Sequence, residues 1–311
     1  MLLVTAPMVV AHLPAFGRGF NMRAGAIWPW GVAVLLLGGC SNSPPSPSPR
    51  AVSTKPMRIV SMNPCVDAIL MEVADPKQIT AISHYSHDPR ATSVPLKWAM
   101  QYRAVSDGAE DVIVETPDLV IAGQHVSVQT IATLKRLGIP LMQIAVPESV
   151  EQSTKQIIDI ADRIGRPQFG AQLNSRIEAA LAAARTDAVP ITALIWQGSG
   201  LVPGKETLAD ELLTRAGFRN LSGDLGLGKW DILPLEGLLS KPPAVLMSGE
   251  ANMGESNQDA NRMLNHPALQ KAKTHIRVAH FPSRLLNCGG PTIIKTTQRL
   301  QQIRIDMEQS R

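Results

Sequence analysis

At 311 residues the chain is long enough for two ordinary domains. Its 44% hydrophobic and 18% charged residues exclude a disordered polypeptide, and a net charge of +4 without any block of Lys or Arg excludes a nucleic-acid-binding arm. Three cysteines are too few for a disulfide scaffold, and with aromatics at only 4% each Trp or Tyr in a predicted loop is informative.

In chain order, Arg23 precedes an uncharged apolar run, Ala24 to Leu37, that closes on Gly38, Gly39 and Cys40. A basic start, a short apolar core and small residues before a cut make an export signal. About 16 residues separate Arg23 from Cys40, short of the ~20 that a spanning helix needs. The Leu-Gly-Gly-Cys ending resembles the bacterial lipobox, which implies lipidation of Cys40 as the first mature residue. Residues 1–21 would make the signal unusually long, so Met22 is the expected start. Residues 41–56 are rich in Pro and Ser and read as an extended tether reaching roughly 50 Å. Ser41 after the cysteine leans towards outer-membrane sorting, although the sequence does not decide between inner and outer membrane.

Arg58–Met62 reads as a strand with exit loop Asn63–Cys65, and Val66–Ala74 as a helix with Asp67 near its amino end. Ile79–Ser83 is the next strand, leaving His84–Pro89 as a polar, aromatic loop. Thr116–Gly123 and Lys241–Gly249 are each a proline-led entry into a short apolar run closed by glycine, the pattern of a strand buried on both faces. Between them Leu173, Ile177 and Leu181 recur at a spacing of four and predict one amphipathic helix over Pro167–Asp187. After it come a strand over Ile191–Trp196 with exit Gln197–Gly200, a helix over Glu206–Ala216, and a turn at Phe218–Leu221. A flexible glycine-rich loop over Gly223–Gly228 follows, then a strand over Arg277–Phe281 and a closing helix from Thr292. Gly204 and Lys205 do not make a phosphate loop: the required earlier glycine is Ser199 and the next residue is Glu206. The chain has no Gly-x-Ser-x-Gly, Cys-x-x-Cys or His-Glu-x-x-His motif, which argues against an enzyme.

The ordered segments RIVSMNPCVDAILMEVAD, ISHYSHDP, VSDGAEDVIVETPDLVIAG and LKRLGIPLMQI resemble the periplasmic binding proteins of ABC importers for cobalamin, ferric siderophores and haem, of the helical-backbone, class III type. The resemblance implies an α/β fold of two Rossmann-like lobes, 57–166 and 188–311, joined by one rigid helix, 167–187, with the ligand cleft between them. It further implies a monomer that hands its chelate to an ABC permease and its ATPase in the inner membrane. Cobalamin-like corrinoids lead, ferric siderophore or haem is the alternative, and a periplasmic enzyme or a structural lipoprotein stands behind both.

Ligands of parallel α/β sheets bind at strand exits, so Pro64, Cys65, His84, Gln124 and His125 are expected at the cleft. Tyr85 and Trp230 match cleft aromatics of the family, Tyr85 having a surface-loop role as its alternative and Trp98 being either another wall or core packing. Asn287, Gly289 and Gly290, ahead of the last helix, are expected to line the second lobe, although an ordinary helix cap explains the glycines as well. Arg284 is a candidate for a ligand carboxylate or phosphate, with Arg90 and Arg103 also available to a siderophore. His84, His87 and His125 sit on loops without i, i+4 spacing, so no metal site is assigned. Glu236, six residues after Trp230, matches a glutamate that docks onto the transporter; its alternative is a solvated helix-start carboxylate, and no acid near Ser127–Gln129 supplies the counterpart in the first lobe. Cys65 and Cys288 fall on cleft-facing loops, one per lobe, and three states stay open: a disulfide stapling the lobes, free buried thiols, or a thiolate ligand.

Overall fold

The computed structural model describes residues 55–197, 200–249, 266–272 and 276–309. The export signal, Cys40, nearly all of the tether, and Gly198 and Ser199 of one predicted exit lie outside the described residues. No helix among the described residues is long and apolar enough to cross a membrane.

Residues 59–163 alternate strand and helix: β1 (Ile59–Ser61), α1 (Pro64–Val73), β2 (Ile79–Ser83), α2 (Leu96–Ala99), β3 (Arg103–Val105), α3 (Ala109–Val114), β4 (Leu119–Gly123), α4 (Val128–Arg136), β5 (Leu141–Ile144) and α5 (Val150–Arg163). The strands form one parallel sheet in the order β3-β2-β1-β4-β5, with Ile59, Val60 and Ser61 in register with Leu119, Val120 and Ile121. The order reverses direction at β1, so the loops after β1 and β4 part there and leave a crevice at the carboxyl edge.

A helix, α6 (Pro167–Ala184), leads to the second lobe: β6 (Ile191–Ile195), β7 (Leu201–Pro203), α7 (Leu208–Arg215), β8 (Phe218–Asn220), β9 (Trp230–Ile232), α8 (Leu235–Ser240), β10 (Val245–Ser248), α9 (Pro267–Ala272), β11 (Arg277–His280) and α10 (Thr292–Glu308). Its parallel sheet runs β11-β10-β6-β8, while β7 and β9 pair antiparallel as a separate ribbon. The expected α/β fold of two lobes with a cleft between them is the one observed.

The spacing-of-four pattern sets the role of α6. Leu173, Ile177 and Leu181 are buried in an apolar core that also takes Ile59, Leu70 and Leu119 from the first lobe and Ile191, Phe218 and Met247 from the second. At ~1.5–3 kcal/mol for each large apolar side chain taken from water, this common core couples the lobes strongly. α6 packs on α1 and α5 on one side and on α10 on the other. The opposite sheet faces have cores of their own, around Val120 and Leu134 in the first lobe and around Trp196 and Leu246 in the second.

Three local expectations change. The central helix stops at Ala184 rather than Asp187, because Arg185 takes extended backbone and the Thr186 hydroxyl accepts the Ala188 N–H in a turn. Phe218–Asn220 is a strand paired with β6, not a turn. The glycine-rich stretch begins as a 3-10 turn, Leu221–Leu225, which Asn220 caps and left-handed Gly226 ends.

Candidate functional site: a cleft between the lobes

The first-lobe wall starts with Asn63. Its side-chain oxygen accepts the N–H groups of Cys65 and Val66 at 2.8 and 3.2 Å, which caps α1 and holds the loop open towards the second lobe. Pro64 takes the first helical turn, where its missing N–H costs nothing. At the end of β4, Gly123 lets two side chains lie against the backbone: a Cβ there would stand 2.3 Å from Asn63 Nδ2 and 2.7 Å from His125 Nδ1. His125 Nε2 lies 3.7 Å from Asp107 Oδ1, close to the carboxylate but beyond hydrogen-bond distance.

Asn63 and His125 face a cleft of about 390 Å³, in the size range of small-molecule sites. Asn63, Gln124, His125, Glu148 and Gln156 give the first-lobe side its polar groups, alongside Ile144 and Val146. Leu208, Ala209, Leu212, Leu285 and Leu286 make the second-lobe side mainly apolar, with half-exposed Trp230 on β9, and with Thr207 and Asn287 as its polar groups.

Covalent and polar links cross between the lobes around the cleft. Cys65 and Cys288 form a disulfide with a Cα–Cα distance of 5.2 Å, and both line the cleft. Next to it the Gly290 N–H donates to Ser153 Oγ at 2.7 Å, and a Cβ on Gly289 would stand 2.6 Å from that oxygen, so the loop requires glycine to close on α5. Glu211 Oε2 on α7 accepts the Val150 N–H at the start of α5. At the rim Lys229 Nζ meets Glu148 Oε2 at 2.8 Å, and that hydrogen bond, ahead of the coulombic attraction of Glu148 and Glu206, raises the Lys229 pKa above its ordinary value.

A scan against family models matches residues 59–285 to the periplasmic binding protein family, most of the folded body. The chain belongs to that family. This periplasmic binding protein is 26% identical over 211 residues to a cobalamin-binding protein of Halobacterium salinarum, a match covering 64% of this chain and 55% of that protein, so the chain spans about half the length of the curated relative. Its fold is similar to that of the haem-binding protein RhuT from Roseiflexus sp. RS-1 (TM-score 0.63, 22% identity, 83% of this chain and 99% of that one). It is also similar to the vitamin B12 binding protein BtuF of Vibrio cholerae (0.63, 16%, 81% and 98%) and to the haem-binding protein HutB of Vibrio cholerae (0.64, 19%, 80% and 98%).

Within this periplasmic binding protein the structure brings Cys65, Gln124, His125, Trp230, Asn287 and Gly289 to one cleft and places the other sequence candidates elsewhere. Pro64 supports the first wall from the first turn of α1, and Gly290 turns away to bond Ser153. Trp98 packs against Tyr102 (ring centroids 4.9 Å apart) and the common core, its packing alternative. His84 Nδ1 bonds the Val105 carbonyl and His87 Nε2 the Ala99 carbonyl, so both are held in structural contacts. Tyr85 stacks on His84 and meets the His125 ring edge-on at 6.1 Å, which puts it behind the cleft wall. The cause is Asp67: its Oδ2 accepts the Ser86 hydroxyl at 2.6 Å and the Ser83 N–H at 3.1 Å, folding this loop down onto α1. Burial pushes the Asp67 pKa up to about 7 against the lowering effect of those donors. Arg284 lines a different cavity, and Glu236 is exposed on α8. Arg90 pairs with Asp88 and Arg103 with Glu115, both on the surface. Glu148 and Lys229 escaped the sequence reading; Pro147-Glu148-Ser149 marks a helix start, but nothing local announces a partner in the other lobe.

Proposed function

We propose that the chain is a lipid-anchored periplasmic receptor that captures a metal chelate, a cobalamin-like corrinoid in the first place, and delivers it to an ABC importer. The observation that carries the reading is the division of the cleft: an apolar side built on Leu208, Leu212, Leu285 and Trp230 faces amides and an imidazole from Asn63, Gln124 and His125. Such a cleft suits a bulky ligand with an apolar body and an amide-bearing periphery. The relative described as a cobalamin-binding protein supports the same choice. Trp230 covers the ligand body, and Gln124, His125 and Asn287 fix its edge. Glu236 on α8 offers an exposed carboxylate to a permease arginine. Cys40 carries the lipid, and the Pro/Ser tether lets the receptor reach the transporter. The protein binds and releases its ligand unchanged, without turnover.

One observation favours a second ligand class. His125 lines the cleft, and an imidazole there suits an iron centre in haem or a ferric siderophore.

The test is a titration of the full chain in mild detergent with cyanocobalamin, haemin and a panel of ferric siderophores, followed by calorimetry and by ligand absorbance. One-to-one binding of cyanocobalamin, weakened at least tenfold by Trp230→Ala, is the expected result. Preferential binding of haemin with a Soret shift lost in His125→Ala moves the assignment to the second class. Absence of binding by every chelate rejects both. Labelled palmitate incorporated by the chain and lost in Cys40→Ser tests the anchor.

A further inference from the structure

Leu285 has a second cavity on its other side, about 330 Å³ in volume, that shares no polar residue with the chelate cleft. Its polar lining comes from the loop ahead of α2 (Thr92, Ser93), from Arg284, and from Thr292 and Lys295 in the first turn of α10. Two hydroxyls there lack partners among the described residues. Ser93 Oγ is shut off from solvent without a hydrogen bond. Thr292 is only 5% exposed, and of its oxygens it is the carbonyl that is engaged, by Thr296. The 17-residue helix above them begins at Pro291 with no side-chain cap.

An adjoining smaller cavity shares Ser93, Thr292 and Lys295 and adds Arg176, which is held at 2.6 Å by Glu72. Glu72 is the carboxylate facing the cluster among the described lining residues, and it is already paired. The two cavities therefore gather Lys295, a mutually neutralised Arg176–Glu72 pair, the buried Thr292 hydroxyl and the positive end of a long helix, with the Arg284 side chain at the rim. Lys295, the Thr292 hydroxyl and the helix end each favour negative charge, and the hydroxyl is not needed to cap the helix.

We propose that this cavity is an oxyanion site that takes a phosphate or a carboxylate group. Lys295 supplies the point charge, Thr292 donates a hydrogen bond, and the amino end of α10 completes the cradle, with Arg284 at the rim. The site does not rest on the chelate reading and stands or falls on anion binding alone.

The experiment titrates the full chain, in mild detergent and at constant ionic strength set with chloride, with inorganic phosphate and separately with succinate. Calorimetry and, for phosphate, phosphorus NMR read the binding. Saturable binding of either anion, weakened at least tenfold in Lys295→Gln and several-fold in Thr292→Val but unchanged in Lys135→Gln on α4, is the expected result. Whichever anion binds more tightly identifies the source as a phosphate or a carboxylate. No saturable binding of either anion overturns the proposal, and so does a Lys295→Gln protein that binds as tightly as the parent. Lys295 is exposed, so this variant keeps the question open to measurement even where Thr292→Val does not fold.

Discussion

The two lobes run outward from their first strands in the same way and part company at one edge. In the first lobe β2 is followed by a further parallel strand, β3, which closes the sheet and is pinned by Arg103 on Glu115. In the second lobe β8 ends the sheet among the described residues, and the chain builds the antiparallel β7–β9 ribbon instead. Along β9 side chains alternate, so Trp230 and Ile232 stand on one face, 50% and 52% exposed. The first lobe thus brings capped loops and polar side chains to the cleft, and the second brings apolar surface on a ribbon outside its main sheet. In the receptor proposed above, orientation of the ligand would fall to the polar side and coverage of its body to the apolar one.

The largest expected difference between the lobes is their response to pH. Asp67 is fully buried in the first lobe, with a pKa of about 7 against an ordinary value of 3.8. Because the folded pKa is the higher one, the stability tied to this group is complete below about pH 4 and is lost as pH rises to about 7. The loss is on the order of 4 kcal/mol. Asp67→Asn, which keeps an acceptor for Ser83 and Ser86, removes this dependence, so the variant gains on the parent from pH 4 to 7 in urea melts. A parallel pair of curves would show that Asp67 is not the source.

Next in size is the core that the lobes share. Ile177→Ala in α6 leaves a cavity between them and is expected to cost about 2–5 kcal/mol in a single unfolding transition. Two separated transitions would show that the lobes hold together independently. Removing the inter-lobe bond with Cys65→Ser and Cys288→Ser opens a loop of sequence separation 223 and is expected to cost about 2–4 kcal/mol, read as a lower urea midpoint that reductant no longer changes. The smallest effect belongs to the rim. Lys229→Met breaks the solvent-exposed contact with Glu148, and any change in melting it causes should vanish in about 1 M salt, where charges are screened within ~3 Å.

Much of the body was legible because burial on both sheet faces leaves continuous apolar runs, as in Leu119–Gly123 and Val245–Ser248, with proline and glycine at their ends. The last helix starts at Thr292 as read, since Pro291 sits where a missing N–H is harmless. The β7–β9 ribbon was not legible: Leu201 pairs with Ile232 across a whole helix and strand, and three-residue segments have no periodicity to detect. At the cleft, residues placed directly at strand exits, such as Cys65 and Gln124, arrived where the exits pointed. Tyr85 did not, because the path of its loop is decided by Asp67, a buried carboxylate on another element. Trp98 and Arg284 likewise follow where α2 and the Ser283–Leu285 turn pack, which chain order alone does not state. The three open states of the cysteines resolve into the disulfide once both loops are brought side by side.

The bond between Cys65 and Cys288 also makes the covalent chain a closed ring with two tails, the segment before residue 65 and the one after residue 288 that carries α10. A protease that cuts once anywhere inside the ring leaves one molecule, which separates into two pieces only when reductant is added. The ring can close only after residue 288 has crossed into the oxidising compartment, when the first lobe and every described strand of the second have already emerged. Oxidation therefore comes late in the emergence of the chain and cannot guide the first steps of its folding.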